Sequence, residues 1–108
     1  MFELRELYHL DVSFNQLSIN DVFADLTALR FFNASHNEFD VLSPEFTTSL
    51  TLLEHLDLSY NRIAELPSSF GELRRLRHLD LSHNDIAEFP NDRIDVLASV
   101  KVRCFSVW

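Results

Sequence analysis

The sequence predicts an α/β solenoid: one layer of short parallel strands backed by turns and short helices. Three observations lead there. Four stretches share one apolar spacing: LYHLDVSFNQL from Leu7, LRFFNASHNEF from Leu29, LEHLDLSYNRI from Leu53 and LRHLDLSHNDI from Leu76. Their asparagines, Asn15, Asn37, Asn61 and Asn84, recur at intervals of 22, 24 and 23 residues. Helix-start signals, not further strands, fill the gaps between the stretches. Self-similarity at such a period marks stacked supersecondary units, none of which can bury its apolar face alone.

Each element follows from local chemistry. Within a stretch, apolar and polar residues alternate, the period of a half-buried strand. Strands are therefore expected near Leu10, Phe32, Leu56 and Leu79, with the four asparagines buried where the chain turns away. Asn20, Ser43, Ser69 and Asn91 are each placed to start a short helix or helical turn, Ser43 directly before Pro44 and Ser69 three residues before Glu72. Phe23, Phe46 and Phe70 lie just after three of these starts, and most of the ten phenylalanines are thereby expected in the core.

The four stretches resemble the leucine-rich repeat pattern L-x-x-L-x-L-x-x-N-x-L, with Phe, Ala, Val and Ile at some Leu positions, and the resemblance covers nearly the whole chain. It implies a parallel sheet on a concave face, convex helical turns, and a ladder of buried asparagine amides that bond neighbouring backbone. Residues 1–108 then form one segment of four repeats plus a partial fifth. Leu97-Ala-Ser-Val-Lys-Val looks like the fifth strand start, with Phe105 at the ladder position. Neither end carries a polar cap, so the expected object is a fragment that frays at residues 97–108 and self-associates through open edges.

The stretch from Leu66 to Pro90 resembles the intracellular class of Ras-suppressor and scribble-type scaffolds, which place Pro after the last core residue, here Leu66-Pro67 and Phe89-Pro90. The two earlier repeats carry Asn20 and Ser43 instead and look more like extracellular receptor repeats. A cytoplasmic setting is the expectation, and an extracellular one stays open. The sequon Asn33-Ala34-Ser35 points outward, but Asn33 falls mid-strand, whereas glycan acceptors favour exposed loops.

Composition narrows function. A net charge of −8 disfavours nucleic acid and anionic membranes, both of which select clustered Lys and Arg. No apolar run reaches the length of a membrane span, and the opening Met-Phe-Glu-Leu-Arg-Glu lacks a signal-peptide layout. Cys104 is the single cysteine, so no disulfide scaffold forms within this chain. Gly71 is the single glycine, which excludes Gly-rich phosphate loops.

Alternation lists the concave face repeat by repeat: Tyr8, His9, Asp11, Ser13 and Phe14; Arg30, Phe31, Asn33, Ser35 and His36; Glu54, His55, Asp57, Ser59 and Tyr60; Arg77, His78, Asp80, Ser82 and His83. The partial fifth adds Ala98, Ser99, Lys101, Arg103 and Cys104. His55 and His78 share a column beside Asp57 and Asp80. A metal site is one reading of that pair, yet aligned histidines on a flat sheet do not converge. A pH-sensitive surface is the better one, because neighbouring imidazoles repel when charged. The His-Asp-Ser trio matches a hydrolase triad in composition only. The expected function is accordingly non-enzymatic, with no metal or cofactor: a protein-binding scaffold module using Tyr8, Phe31, His55, Tyr60, Arg77 and His78. Phe31 matters most in that set, since a polar residue is common at its position. The competing reading is a truncated piece of a larger receptor or signalling protein with no activity of its own.

Overall fold

The computed structural model describes residues 4–18, 25–67, 70, 72–86 and 101–103. Five three-residue strands, β1 (His9–Asp11), β2 (Phe31–Asn33), β3 (His55–Asp57), β4 (His78–Asp80) and β5 (Lys101–Arg103), form one sheet in sequential order. Every pairing is parallel and in register: His9 with Phe31, Phe31 with His55, His55 with His78, and His78 with Lys101. The expected strand centres Leu10, Phe32, Leu56 and Leu79 occupy one row of that register.

A repeated backbone device sets the strand entries. The carbonyl of Tyr8 accepts both Arg30 N–H (2.8 Å) and Phe31 N–H (2.9 Å); Arg30 does the same for Glu54 and His55, and Glu54 for Arg77 and His78. Apolar residues of the shared pattern stack in rows behind the sheet. Leu29, Leu53 and Leu76 form one, Phe32, Leu56 and Leu79 the next, then Ala34, Leu58 and Leu81, and all are buried. Behind the same sheet the buried rings of Phe32 and Phe46 pack with centres 5.7 Å apart. Leu7, Leu10, Val12 and Leu17 of the first repeat are only partly buried, since they pack on one described neighbour.

The helix expected after Ser43 is α1 (Pro44–Ser49), with Ser43 as its N-cap accepting the Glu45 N–H at 3.2 Å. The Ser43 hydroxyl also bonds the Glu45 carboxylate, which holds that carboxyl below the usual range. The Phe46 ring is fully buried beneath β2. In the next convex segment the Phe70 N–H donates to the Pro67 carbonyl at 2.9 Å, and Phe70 is buried as expected. Asn20, Phe23, Ser69 and Asn91 lie outside the described residues, as do 97–100 and 104–108.

The asparagine ladder forms with one exception. Asn61 donates from Nδ2 to Leu58 and Ser59 of its own repeat and to Ala34 of the preceding one, at 3.0–3.2 Å. Its Oδ1 accepts the Phe39 N–H at 3.0 Å. Asn37 and Asn84 repeat this pattern with Val12 and Leu17, and with Leu58 and Ile63. All three are buried. Asn15 is exposed, against expectation, and its Nδ2 bonds only Val12 and Ser13 of its own repeat. Burial of this residue comes from the repeat on the near side, and no such repeat is described before β1.

The fifth strand also departs from expectation. Pairing Lys101 with His78 and Arg103 with Asp80 slides the strand two residues from the alignment that put Phe105 at the ladder position. A two-residue slide keeps the same parity of faces, so alternation alone does not choose between the registers.

Candidate functional site

The concave face carries two continuous aromatic ladders. In the first, His9, Phe31, His55 and His78 stand side by side on β1 to β4. His9 stacks on Phe31 with ring centres 4.0 Å apart, Phe31 on His55 at 4.5 Å, and His55 meets His78 at 5.4 Å. The second runs through Phe14, His36, Tyr60 and His83, stacked at 4.0, 4.3 and 4.1 Å. Its members adopt left-handed backbone, with φ of 58°, 56°, 56° and 58°. This conformation in a residue with a side chain costs on the order of 1–3 kcal/mol. Each ring gains about 0.5–1.5 kcal/mol per stacked neighbour, so the ladder offsets much of the strain in its interior.

Between the ladders runs the row Asp11, Asn33, Asp57 and Asp80. Each residue closes its turn through Oδ1, which accepts the amide and hydroxyl of the serine two positions on. For Asp57 and Ser59 these distances are 3.0 and 2.7 Å, and for Asn33 and Ser35 they are 3.0 and 2.8 Å. The Ser13 hydroxyl and amide hold the Asp11 carboxyl below its ordinary value. Ser35 and Ser59, expected on the surface, are buried, because the left-handed residue that follows turns the chain and brings the ring out instead. The serine hydroxyl donates to Asp, so the His-Asp-Ser trio is wired for a turn and not for nucleophile activation. The Asn33 sequon is engaged in the same way.

The expected site residues separate into three places. Phe31, His55 and His78 join in the first ladder, and Tyr60 belongs to the second, still 47% exposed. Tyr8 and Arg77 lie in an outer column with Arg30 and Glu54, one residue before the first ladder; Tyr8 is 66% exposed. Phe31 offers an edge only, since His9 and His55 cover both its faces. Burial, and then the neighbouring His78, lower the His55 pKa, with Asp57 and Asp80 opposing. Among the described residues, no three His, Cys, Asp or Glu side chains are grouped to hold a metal ion, and no helix is long and apolar enough to cross a membrane.

Ladder members outside the expected set are His9, Phe14, His36 and His83. One signal for the second ladder was in plain view: an aromatic residue directly precedes every ladder asparagine, in Phe14-Asn15, His36-Asn37, Tyr60-Asn61 and His83-Asn84.

A parallel sheet with one strand per repeat and an asparagine ladder at its turns defines a leucine-rich repeat solenoid. A leucine-rich repeat family model matches residues 35–86. A leucine-rich repeat serine/threonine-protein kinase 1 of Caenorhabditis elegans is 31% identical over 67 residues, 62% of this chain and 3% of that protein. A solved leucine-rich repeat protein of Leptospira interrogans superposes with TM-score 0.79 at 26% identity, covering 90% of this chain and 25% of that one. TLR13, solved with ssRNA13, superposes with TM-score 0.75 at 28% identity over 91% of this chain and 14% of its own. The chain carries leucine-rich repeats, matched by the family model over residues 35–86 and by the fold of these solved structures, and it spans a small part of each of these relatives.

Proposed function

We propose that the chain is a protein-interaction module that engages a protein partner through the concave sheet face and performs no catalysis itself. One observation carries this reading: two stacked aromatic ladders stand side by side on an open sheet face, with Tyr8 and Arg77 at the rim. Interfaces concentrate aromatic and Arg side chains in this way. The kinase activity and the RNA of the named relatives belong to those proteins. Here Arg30 and Arg77 lie outside the ladders, alternating with Glu54, and the overall charge is −8, which favours a protein partner over a polyphosphate. The Leu66-Pro67 and Phe89-Pro90 pairs and the lone Cys104 support a cytoplasmic scaffold setting.

A photo-crosslinking side chain placed at Phe31 or His78 tests the reading against the same group at Asp40 or Glu65, outside the sheet. Adducts specific to the concave positions and competed by unlabelled chain are expected. Identical adducts from both sets overturn it.

A further inference from the structure

The trough between the ladders has a chemistry that deepens the reading above and rests on it. Asn33 closes its turn at 3.0 and 2.8 Å, as the aspartates close theirs. The turn therefore needs an oxygen acceptor, not a charge. Asp11, Asp57 and Asp80 are charged beyond what the fold requires, and each has a carboxylate oxygen that the turn does not use. Across β1 to β4 no Lys or Arg stands between the ladders, and Arg103 takes the register position after Asp80.

The flanking rings set a condition on what enters. Their faces are covered by ladder neighbours, so a ligand meets ring edges. A neutral imidazole edge offers a hydrogen-bond acceptor; a protonated one offers only donors and a positive charge. All five histidines of the chain lie in the two ladders.

We propose that the trough docks an extended basic segment of a protein partner along the Asp11–Asp80 row, and that protonation of His9, His55 and His78 releases it. Charge selects the occupant: three carboxylates face it in β1 to β4. Size selects its form. Three strand spacings of about 4.8 Å separate Asp11 from Asp80, roughly 14 Å in all, the length of about four extended residues. Even the five-strand face, five residues deep, projects only about 400 Å², against about 800 Å² for a globular partner. Release follows from position. His55 lies beside His78 and within the electrostatic reach of Asp57 on its own strand, Asp80 on β4 and His9 on β1. Arg30, Glu54 and Arg77 line the outer side of this ladder, and Lys101 takes the register position beyond His78. Imidazolium charge on this ladder offsets the carboxylates beside it, and an acceptor edge becomes a donor edge at each protonated ring.

Fluorescence anisotropy of a labelled alternating Arg-Ser peptide of about eight residues, with an alternating Glu-Ser peptide as control, tests this on the whole chain. The Arg-Ser peptide is expected to bind at about pH 7.5 and about tenfold more weakly at about pH 5.5. Asp57→Asn with Asp80→Asn should weaken binding about tenfold at the higher pH. Asp40→Asn with Glu65→Gln removes equal charge outside the sheet and should change it little. His9→Gln, His55→Gln and His78→Gln together should keep the affinity and remove more of the pH dependence than His36→Gln with His83→Gln, which alters the rings on the other side of the trough. Equal weakening by the off-sheet pair, equal binding of the Glu-Ser peptide, absence of Arg-Ser binding, or a pH dependence that falls no further in the triple variant than in the His36 and His83 pair each overturns the proposal. Concave-specific crosslinks alongside any of those results would leave the interaction-module reading standing.

Discussion

His55 and His78 are side by side on adjacent strands with ring centres 5.4 Å apart and planes tilted by 35°. Every other neighbouring pair in the two ladders lies within 14° of parallel. The one tilted junction thus joins two imidazoles, groups that repel when both carry a proton. Burial and His78 together favour the neutral form of His55.

Stability should consequently fall with pH through the ordinary histidine range. The folded chain keeps His55 neutral to lower pH than the unfolded chain does. The unfolded state then binds more protons, and acidification favours it. The contribution is complete above the usual histidine pKa and is lost as pH falls through the depressed folded value. Urea midpoints from about pH 7.5 to about pH 5 should show this slope, and His55→Gln should flatten it. An unchanged slope in the variant would place the dependence elsewhere.

Asn61→Ala and Asn84→Ala should each destabilise the chain by about 2–3 kcal/mol, since each strands several buried backbone groups. His78→Ala, on the exposed face, should cost less than about 1 kcal/mol. Asn15→Ala should resemble the histidine change, because Asn15 is exposed and bonds only its own repeat. Chemical denaturation of the four variants ranks them directly, and a shift for Asn15 as large as that for Asn61 contradicts the ladder account.

Tyr60→Gly should destabilise more than Phe14→Gly by about 1 kcal/mol. Both residues have left-handed backbone, so the conformational gain and cost of glycine are common to the two. Tyr60 loses stacking against both His36 and His83, while Phe14 loses it against His36 alone. Thermal unfolding of the pair decides it; equal shifts would mean that the stacks carry little energy.

Ser43→Ala should cost about 1 kcal/mol through loss of the α1 cap. Hydrogen exchange should localise the effect to residues 44–50, with amides of the β3 strand changing less. Uniform loss of protection would show that α1 and the sheet unfold as one unit.

The residues alone determined the strand centres, the parallel solenoid and the burial of three of the four asparagines expected in the ladder. A pattern recurring every 22 to 24 residues forces each unit to stack on its like, and apolar spacing within a unit says which side is buried. The Ser43-Pro44 cap was legible for the same local reason. Tertiary structure decided what depends on a neighbour. Asn15 is exposed because the ladder bond reaches to the preceding repeat, which residue spacing does not supply. Ser35 and Ser59 turn inward, because the left-handed residue after each breaks the alternation that reads faces from sequence, while Phe14, His36, Tyr60 and His83 face out as expected. The β5 register differs by two residues, a slide invisible to a pattern of period two. Stacking of rings into ladders was decided last, since it requires strands far apart in sequence to lie in register about 4.8 Å apart, and that distance exists only once the sheet has formed.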